Sequence, residues 1–176
     1  MTDRFDTNPP SPFVARWLAA LPVPAAGARA LDVACGRGRH ALALARAGYR
    51  VTALDMQLDA LGRLQASSRR EGLSIQLACV DLTTSPLPAG LFDLVVVTRY
   101  LDRTLFPALR DALTPGGVLL YETFTEHQRQ YDRGPRSSAH LLAPGELRGL
   151  VSGLDLLFDE EVMAPDAVAR IAARKR

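Results

Sequence analysis

Asp32, Gly36, Gly38, Asp55 and Asp81 are the residues whose types and spacing suit them for ligand chemistry. Gly36 and Gly38 stand one residue apart in the run LDVACGRGRH, between an apolar strand signal and an Ala/Leu-rich helix signal. Without side chains there, the backbone N–H groups can approach a ligand closely and take positive φ where the turn needs it. Asp32, four residues before Gly36, discriminates among ligands. A carboxylate beside the cradle repels a pyrophosphate but attracts a ligand carrying a sulfonium and an ammonium. That preference favours S-adenosylmethionine over a nicotinamide dinucleotide. Asp32 itself admits two readings: acceptor for the methionyl ammonium, or acceptor for orphan backbone N–H groups of the turn.

Asp55 follows Gly36 by 19 residues, the spacing at which a carboxylate accepts both hydroxyls of a ribose. Dinucleotide proteins share it, and a helix N-cap is the structural alternative. Met56 beside it suits packing on an adenine face, or filling the core. Asp81 ends the third strand signal, where a carboxylate can accept from an adenine exocyclic amine; a cap or turn residue is the other reading.

Positioning these groups requires strands that end where they stand. Strand signals cover about 28–34, 50–54, 74–80, 92–97 and 118–124. Helix signals cover 39–47, 58–70, 105–113 and 144–151. Ser11 caps an earlier helix with Pro12 at its first position, and apolar runs 154–158 and 168–172 form a closing strand pair. Alternating strands and helices imply a mostly parallel α/β sheet covered on both faces. Ligands bind beyond the carboxyl ends of such strands. That points to Ala34, Cys35, Gly36 and Gly38, then Asp55 and Met56, then Asp81 and Leu82, then Thr98, Arg99 and Tyr100.

At 176 residues, 48% hydrophobic and 23% charged, the chain has the make-up of one globular domain. Residues 1–11 read as a flexible N-terminus and 12–176 as a single domain. A net charge of +2 and few aromatics argue against nucleic-acid binding. Cys35 and Cys79 read as buried reduced thiols, and three scattered histidines make a metal site implausible. His40 reads as a neutral structural histidine whose pKa is depressed by a helix dipole. No apolar run spans a bilayer, and the polar, proline-rich start lacks a secretory core, so a cytoplasmic location is expected.

The stretches LDVACGRGRH, VTALDMQ, ACVDLTTSPLP, FDLVVVTRYL and LTPGGVLLYETF, in this order and spacing, resemble class I S-adenosylmethionine-dependent methyltransferases. The compact LDVACGRGRHALALARAGYRVTALD run is most similar to small bacterial enzymes of the tellurite-resistance and thiopurine methyltransferase type. The resemblance covers about 28–124 and implies a single Rossmann-like domain. Its sheet has seven strands, mostly parallel, with helices on both faces and an antiparallel closing strand. It also implies S-adenosyl-L-methionine as cofactor, bound by the half spanning about 28–98. The family's acidic-x-G-x-G-x-G turn falls on Asp32 to Gly38, with Ala34 replacing the first glycine; a slight narrowing of the pocket is expected. The Asn/Asp-Pro-Pro-Tyr motif of enzymes methylating amide nitrogens is missing at Thr98-Arg99-Tyr100.

Methyl transfer from a sulfonium is an in-line SN2 displacement that needs positioning and water exclusion more than a base. Tyr100 and Glu122 are the candidate catalytic groups. Arg99, Tyr100 and Arg103 are candidate substrate contacts, as are His127, Arg129 and Arg133 of the irregular 125–142 segment, which reads as a cationic lid. A small-molecule acceptor, soft or anionic, is the leading expectation. The alternatives are an RNA or protein methyltransferase, a non-catalytic S-adenosylmethionine-binding protein, and an NAD(P)-binding protein.

Overall fold

β-Branched and leucine side chains flanked by turn residues dictate strands buried on both faces, and the computed structural model, which describes residues 9–176, bears this out. The strands are β1 (Arg29–Val33), β2 (Arg50–Asp55), β3 (Ile75–Cys79), β4 (Phe92–Thr98), β5 (Leu113–Phe124), β6 (Asp155–Val162) and β7 (Val168–Arg174). They form one sheet in the order β3-β2-β1-β4-β5-β7-β6, in which β7 alone runs antiparallel to its neighbours. The chain builds β1, β2 and β3 to one side, then returns to place β4 and β5 on the other. The exits of β1 and β4 thus open a crevice at the topological switch point.

Helices α1 (Pro12–Ala20), α2 (Arg39–Arg46) and α3 (Leu58–Arg70) cover one face; Phe13, Leu44 and Leu64 pack there on Ala30, Val96 and Leu120. Helices α4 (Phe106–Ala112) and α5 (Glu146–Leu150) cover the other, where Leu109 and Leu147 meet Leu31, Val95 and Tyr121. Neighbouring residues of β1 and β4 feed opposite layers, the period of two that strands require.

Several expectations need correction. The helix expected at 105–113 begins as a 3₁₀ turn, Arg103–Leu105, and stops at Ala112 because Leu113 already belongs to β5. Pro115-Gly116-Gly117 lies inside that strand, at a register shift, rather than before it. A Cβ on Gly117 would stand 2.9 Å from the Phe92 and Thr114 carbonyl oxygens, which explains the glycine. Cys79 is exposed, not buried, because β3 is an edge strand. Residues 1–8 of the expected flexible N-terminus lie outside the described residues. Ser11 is fixed, however: it is buried, and its hydroxyl accepts from Val14 N–H at 3.2 Å.

The glycine turn is shaped by packing as much as by ligand access. Gly38, at φ +79°, would set a Cβ only 2.2 Å from Leu64 Cδ1, and Leu64 is fully buried. Gly36, at φ +54°, has no heavy atom within 4 Å of that position. Gly38→Ala is therefore expected to cost about 2–4 kcal/mol of stability, and Gly36→Ala about 1 kcal/mol. Urea denaturation checks both. In a Leu64→Ala background the cost of Gly38→Ala should shrink to about that of Gly36→Ala.

Candidate active site

Each strand of the sheet's centre delivers one polar group to the crevice. β2 ends on Asp55, whose two oxygens accept backbone N–H bonds: Oδ2 from Gly36 at 2.7 Å and Oδ1 from Gln57 at 2.9 Å. Asp55 thus ties the glycine turn to the start of α3, although Gln57, not Asp55, is the N-cap. A carboxylate accepts about four hydrogen bonds, so lone pairs remain for a ribose. Asp81 stands two residues beyond β3; its Oδ1 accepts from Thr83 N–H and Oγ1–H at 2.9 and 2.7 Å, and those bonds hold its pKa below the usual carboxylate range.

Asp55 and Asp81 flank a cavity of about 700 Å³ that Ala34, Met56, Leu82, Arg99, Tyr100 and Arg103 also line. Met56 is 67% exposed, which excludes the core-filling reading and leaves its thioether on the cavity wall. Asp102 and Tyr100 form the far wall, with Ala139 and His140 above. Tyr100 is held there by its carbonyl, which accepts from the buried Tyr121 hydroxyl at 2.8 Å. Arg103 is engaged by Glu146 at 2.5 Å and by the Leu141 carbonyl at 3.0 Å, so its charge is already paired.

Asp32 follows its structural reading. It is 1% exposed, and its Oδ2 accepts from Ala41 N–H, in the first turn of α2, at 2.8 Å. The partner is a helix N–H rather than one of the glycine turn. Burial pushes the Asp32 pKa up to about 7, opposed by the Ala41 bond and the Arg39 charge.

Cys35 is buried, and burial with the Asp32 and Asp55 charges pushes its thiol up, so it is no nucleophile. His40 bridges the two walls of the crevice. Its Nε2 accepts from Ser11 N–H at 3.1 Å, which leaves Nδ1–H to donate to Thr98 Oγ1 at 3.2 Å. Burial first, then the Arg39 and Arg99 charges, lower its pKa to about 3. The histidine is neutral as expected, but for those reasons rather than a helix dipole.

The 125–142 segment is pinned rather than loose. Thr125 and Leu142 pair as a bridge, and the fully buried Gln128 accepts from Ala167 N–H at 2.7 Å and donates to Arg133 C=O at 3.0 Å. Of its candidate contacts, Arg129 donates to Arg136 C=O, Arg133 pairs with Asp166 at 2.8 Å, and His127 is exposed; none lines the 700 Å³ cavity. Ala139 and His140 reach it instead. Glu122 is 5% exposed and pairs with Arg170 at 2.6 Å, away from Tyr100, in a second hollow with Arg39 and Arg99. Arg39 and Asp166 were missed by sequence reasoning. Arg39 sits inside the glycine run, but no pattern signals that the β6–β7 turn brings Asp166 to the crevice.

The comparisons agree with this geometry. A family model described as a methyltransferase domain matches residues 30–117, half of the chain. The chain belongs to the methyltransferase-domain family. It is 26% identical over 151 residues to the ubiquinone biosynthesis O-methyltransferase of Burkholderia cenocepacia, which covers 74% of this chain and 65% of that protein. The chain thus spans just under two thirds of the length of the curated relatives it matches. Among solved structures, TehB from Haemophilus influenzae has a TM-score of 0.78 at 21% identity, over 93% of this chain and 61% of that one. An S-adenosylmethionine-dependent methyltransferase from Mesorhizobium loti has a TM-score of 0.72 at 22% identity, over 91% and 96%. These two structures share the fold. The seven-stranded Rossmann-like sheet expected from the resemblance is therefore this chain's.

The cofactor of such a domain is S-adenosyl-L-methionine, and the residues present fit it. Asp55 and Asp81 offer carboxylates able to accept from a ribose and an adenine amine, Met56 is open beside them, and bare backbone at Gly36 lines an adjoining hollow. Ala34, held at φ +53°, takes the left-handed conformation that the missing glycine would adopt freely.

Asp32 carries a pH signature. A carboxyl raised by burial stabilises the fold fully below its unfolded pKa, near 3.8, and that contribution is lost as pH rises through about 7. His40, depressed, acts in the opposite sense between about 3 and 6.5, so the wild-type curve alone mixes the two. The comparison with Asp32→Asn, whose amide oxygen can keep the Ala41 bond, isolates the acid. Thermal melts should show the variant gaining on wild type from pH 4 to pH 7, with affinity for S-adenosylhomocysteine unchanged. A large loss of that affinity would instead return Asp32 to the ammonium role.

Proposed function

We propose that this protein catalyses transfer of a methyl group from S-adenosyl-L-methionine to a small-molecule acceptor. The observation that carries the reading is the cavity bracketed by Asp55 and Asp81, with Asp55 tied to the glycine turn through the Gly36 N–H. A ribose and an adenine amine would find hydrogen-bond acceptors at those two strand exits. The continuous sheet supports treating 12–176 as one domain, with 28–98 as its cofactor half. No described helix is long and apolar enough to cross a membrane. We take the setting to be the cytoplasm, where a free thiol such as Cys35 stays reduced.

When bound, the sulfonium supplies an activated methyl and a neutral thioether leaving group. The acceptor's electron pair forms the new bond to the methyl carbon while the sulfur–carbon bond breaks and its electrons return to sulfur. The protein's task is to hold the acceptor in line and to keep water out. Asp55 and Asp81 fix the nucleoside end, and Tyr100 closes one wall. Ala139 and His140, carried on a segment braced by Gln128, roof the cavity. Thiolates, phenolates and other anions arrive deprotonated and need no general base. The relative from Burkholderia cenocepacia is named for O-methylation, and an oxygen acceptor is one such anion.

Calorimetric titration tests the reading. S-adenosylhomocysteine should bind and NAD should not, and Asp55→Asn should weaken the former by about tenfold to a hundredfold, the worth of a charged hydrogen bond. Binding of NAD without S-adenosylhomocysteine would overturn the reading. Tight cofactor binding with no turnover on any of a panel of thiols, phenols, carboxylates, RNA and protein acceptors would leave a non-catalytic binding protein in its place.

A further inference from the structure

We propose that the acceptor carries a carboxylate, or an anion of similar size, and that Arg39 and Arg99 grip it. The inference rests on the methyl-transfer reading and names the class of molecule that reading requires. Two hollows of about 350 and 360 Å³ adjoin the glycine turn, and Arg39 and Arg99 line both. The inner hollow is walled by the turn and by Thr98. The outer is walled by Ser11, Glu122, Asp166 and Arg170, residues from α1's cap, β5 and the β6–β7 end of the sheet. A ligand lying on the turn and a ligand in the outer hollow thus meet at two guanidiniums.

The cations around them are unequally engaged. Arg170 is engaged by Glu122 at 2.6 Å and by Glu160 at 3.4 Å. Asp166 serves two cations at once, Arg99 at 3.0 Å and Arg133 at 2.8 Å, and Arg133 also reaches the Pro165 carbonyl. Arg39, half-buried, makes no hydrogen bond or ion pair with any described residue. Among the described residues, arginines 99, 133 and 170 thus share Glu122, Glu160 and Asp166 through direct contacts, while Arg39 feels Glu122 and the buried Asp32 without a hydrogen bond to either. Burial first and the neighbouring Arg99 charge second hold the Arg39 guanidinium below its usual range, against the opposing pull of Glu122 and Asp32.

Arg99 is also held in place before any ligand arrives. Its backbone sits at φ +56°, its N–H donates to Glu122 C=O at 2.8 Å, and its guanidinium lies 5.5 Å from the Phe124 ring centroid. A non-glycine residue in that conformation is strained, which a fixed placement for binding would explain. Two guanidiniums, one without a hydrogen-bond partner among the described residues and one anchored, make a receptor for a planar bidentate anion. The same chemistry has a second source, the methionyl carboxylate of the cofactor. The outer hollow favours the acceptor, because its walls include none of the turn residues.

The test uses protein saturated with S-adenosylhomocysteine, titrated with acetate and benzoate and with the matching amides. At least one carboxylate is expected to bind about tenfold tighter than its amide. Arg39→Met should remove that margin while leaving S-adenosylhomocysteine affinity within about twofold. Arg39→Lys, which keeps the charge but not the fork, should retain part of the margin and guards against a folding defect in the first variant. Loss of S-adenosylhomocysteine affinity in Arg39→Met, with 5′-methylthioadenosine affinity unchanged, would assign the pair to the cofactor and overturn the proposal. So would equal binding of carboxylates and amides to the saturated wild type. In either case the cofactor still binds, whereas failure of S-adenosylhomocysteine to bind wild type sinks the methyl-transfer reading itself.

Discussion

The hydrogen bond from Gly36 N–H to Asp55 Oδ2, at 2.7 Å, is the constraint on which the cofactor half of the crevice depends. It ties the turn after β1 to the exit of β2. The Cys35 N–H donating to Leu54 C=O at 2.9 Å extends the same ladder by one residue. With both strand exits locked, the turn has to reverse within a few residues, and Ala34, Gly36 and Gly38 all take positive φ to do so. Asp32 fixes the other end by holding the first turn of α2, and Leu64 presses against Gly38 from α3. Bare backbone is thus presented to the ligand because buried groups on three elements leave it no other path. Asp55 is part of that frame and also part of the site, so nucleoside binding and local folding draw on one carboxylate.

The crevice is electrically polarised from end to end. Asp55, Asp81 and Asp102 line the end toward β3, while Arg39, Arg99 and Arg170 gather at the end toward β7. Arg99 belongs to both regions, at the exit of β4 where the strand order reverses. Such an arrangement suits a hydrogen-bond-donating nucleoside at the acidic end and an anionic group at the basic end. His40 sits between the halves, and a second positive charge so near two guanidiniums would be costly. Its neutrality lets it serve as a strut between α1 and β4.

Most of this frame was legible in the sequence because its signals are local. Ser11-Pro12 opening α1, Gly48 closing α2, and Asp55 and Asp81 following apolar runs are each read within a few residues. The seven-stranded, mostly parallel sheet with its antiparallel closing strand also followed, from the resemblance. What escaped was of longer range. Cys79 is exposed because β3 is an edge, a property of the strand order and not of the Ile75–Cys79 run. Leu113 continues as a strand because Phe92 pairs with it across the sheet. The functional weight of Arg39 depends on Arg99, Glu122 and Asp166, residues 60 to 127 positions further along the chain.

The segment 125–142 shows how composition and placement diverge. Its basic, aperiodic sequence suggests a mobile cationic flap, yet its base is built like core. Gln128 is fully buried, and its amide satisfies one N–H and one C=O that would otherwise be orphaned. Burying an amide is tolerable only when it is so paired, so the bonds fix the loop's root as firmly as a strand pairing would. The loop's arginines then have short reach. Arg133 turns to Asp166 and Arg129 to a neighbouring carbonyl, while the small Ala139 and the exposed His140 come over the cavity. By occupying one oxygen of Asp166, Arg133 leaves a single carboxylate to be shared between itself and Arg99. The loop's cationic character therefore acts at one remove. It sets the charge balance of the outer hollow without touching the ligand there, and Arg39 is left as the group with its hydrogen-bonding capacity open.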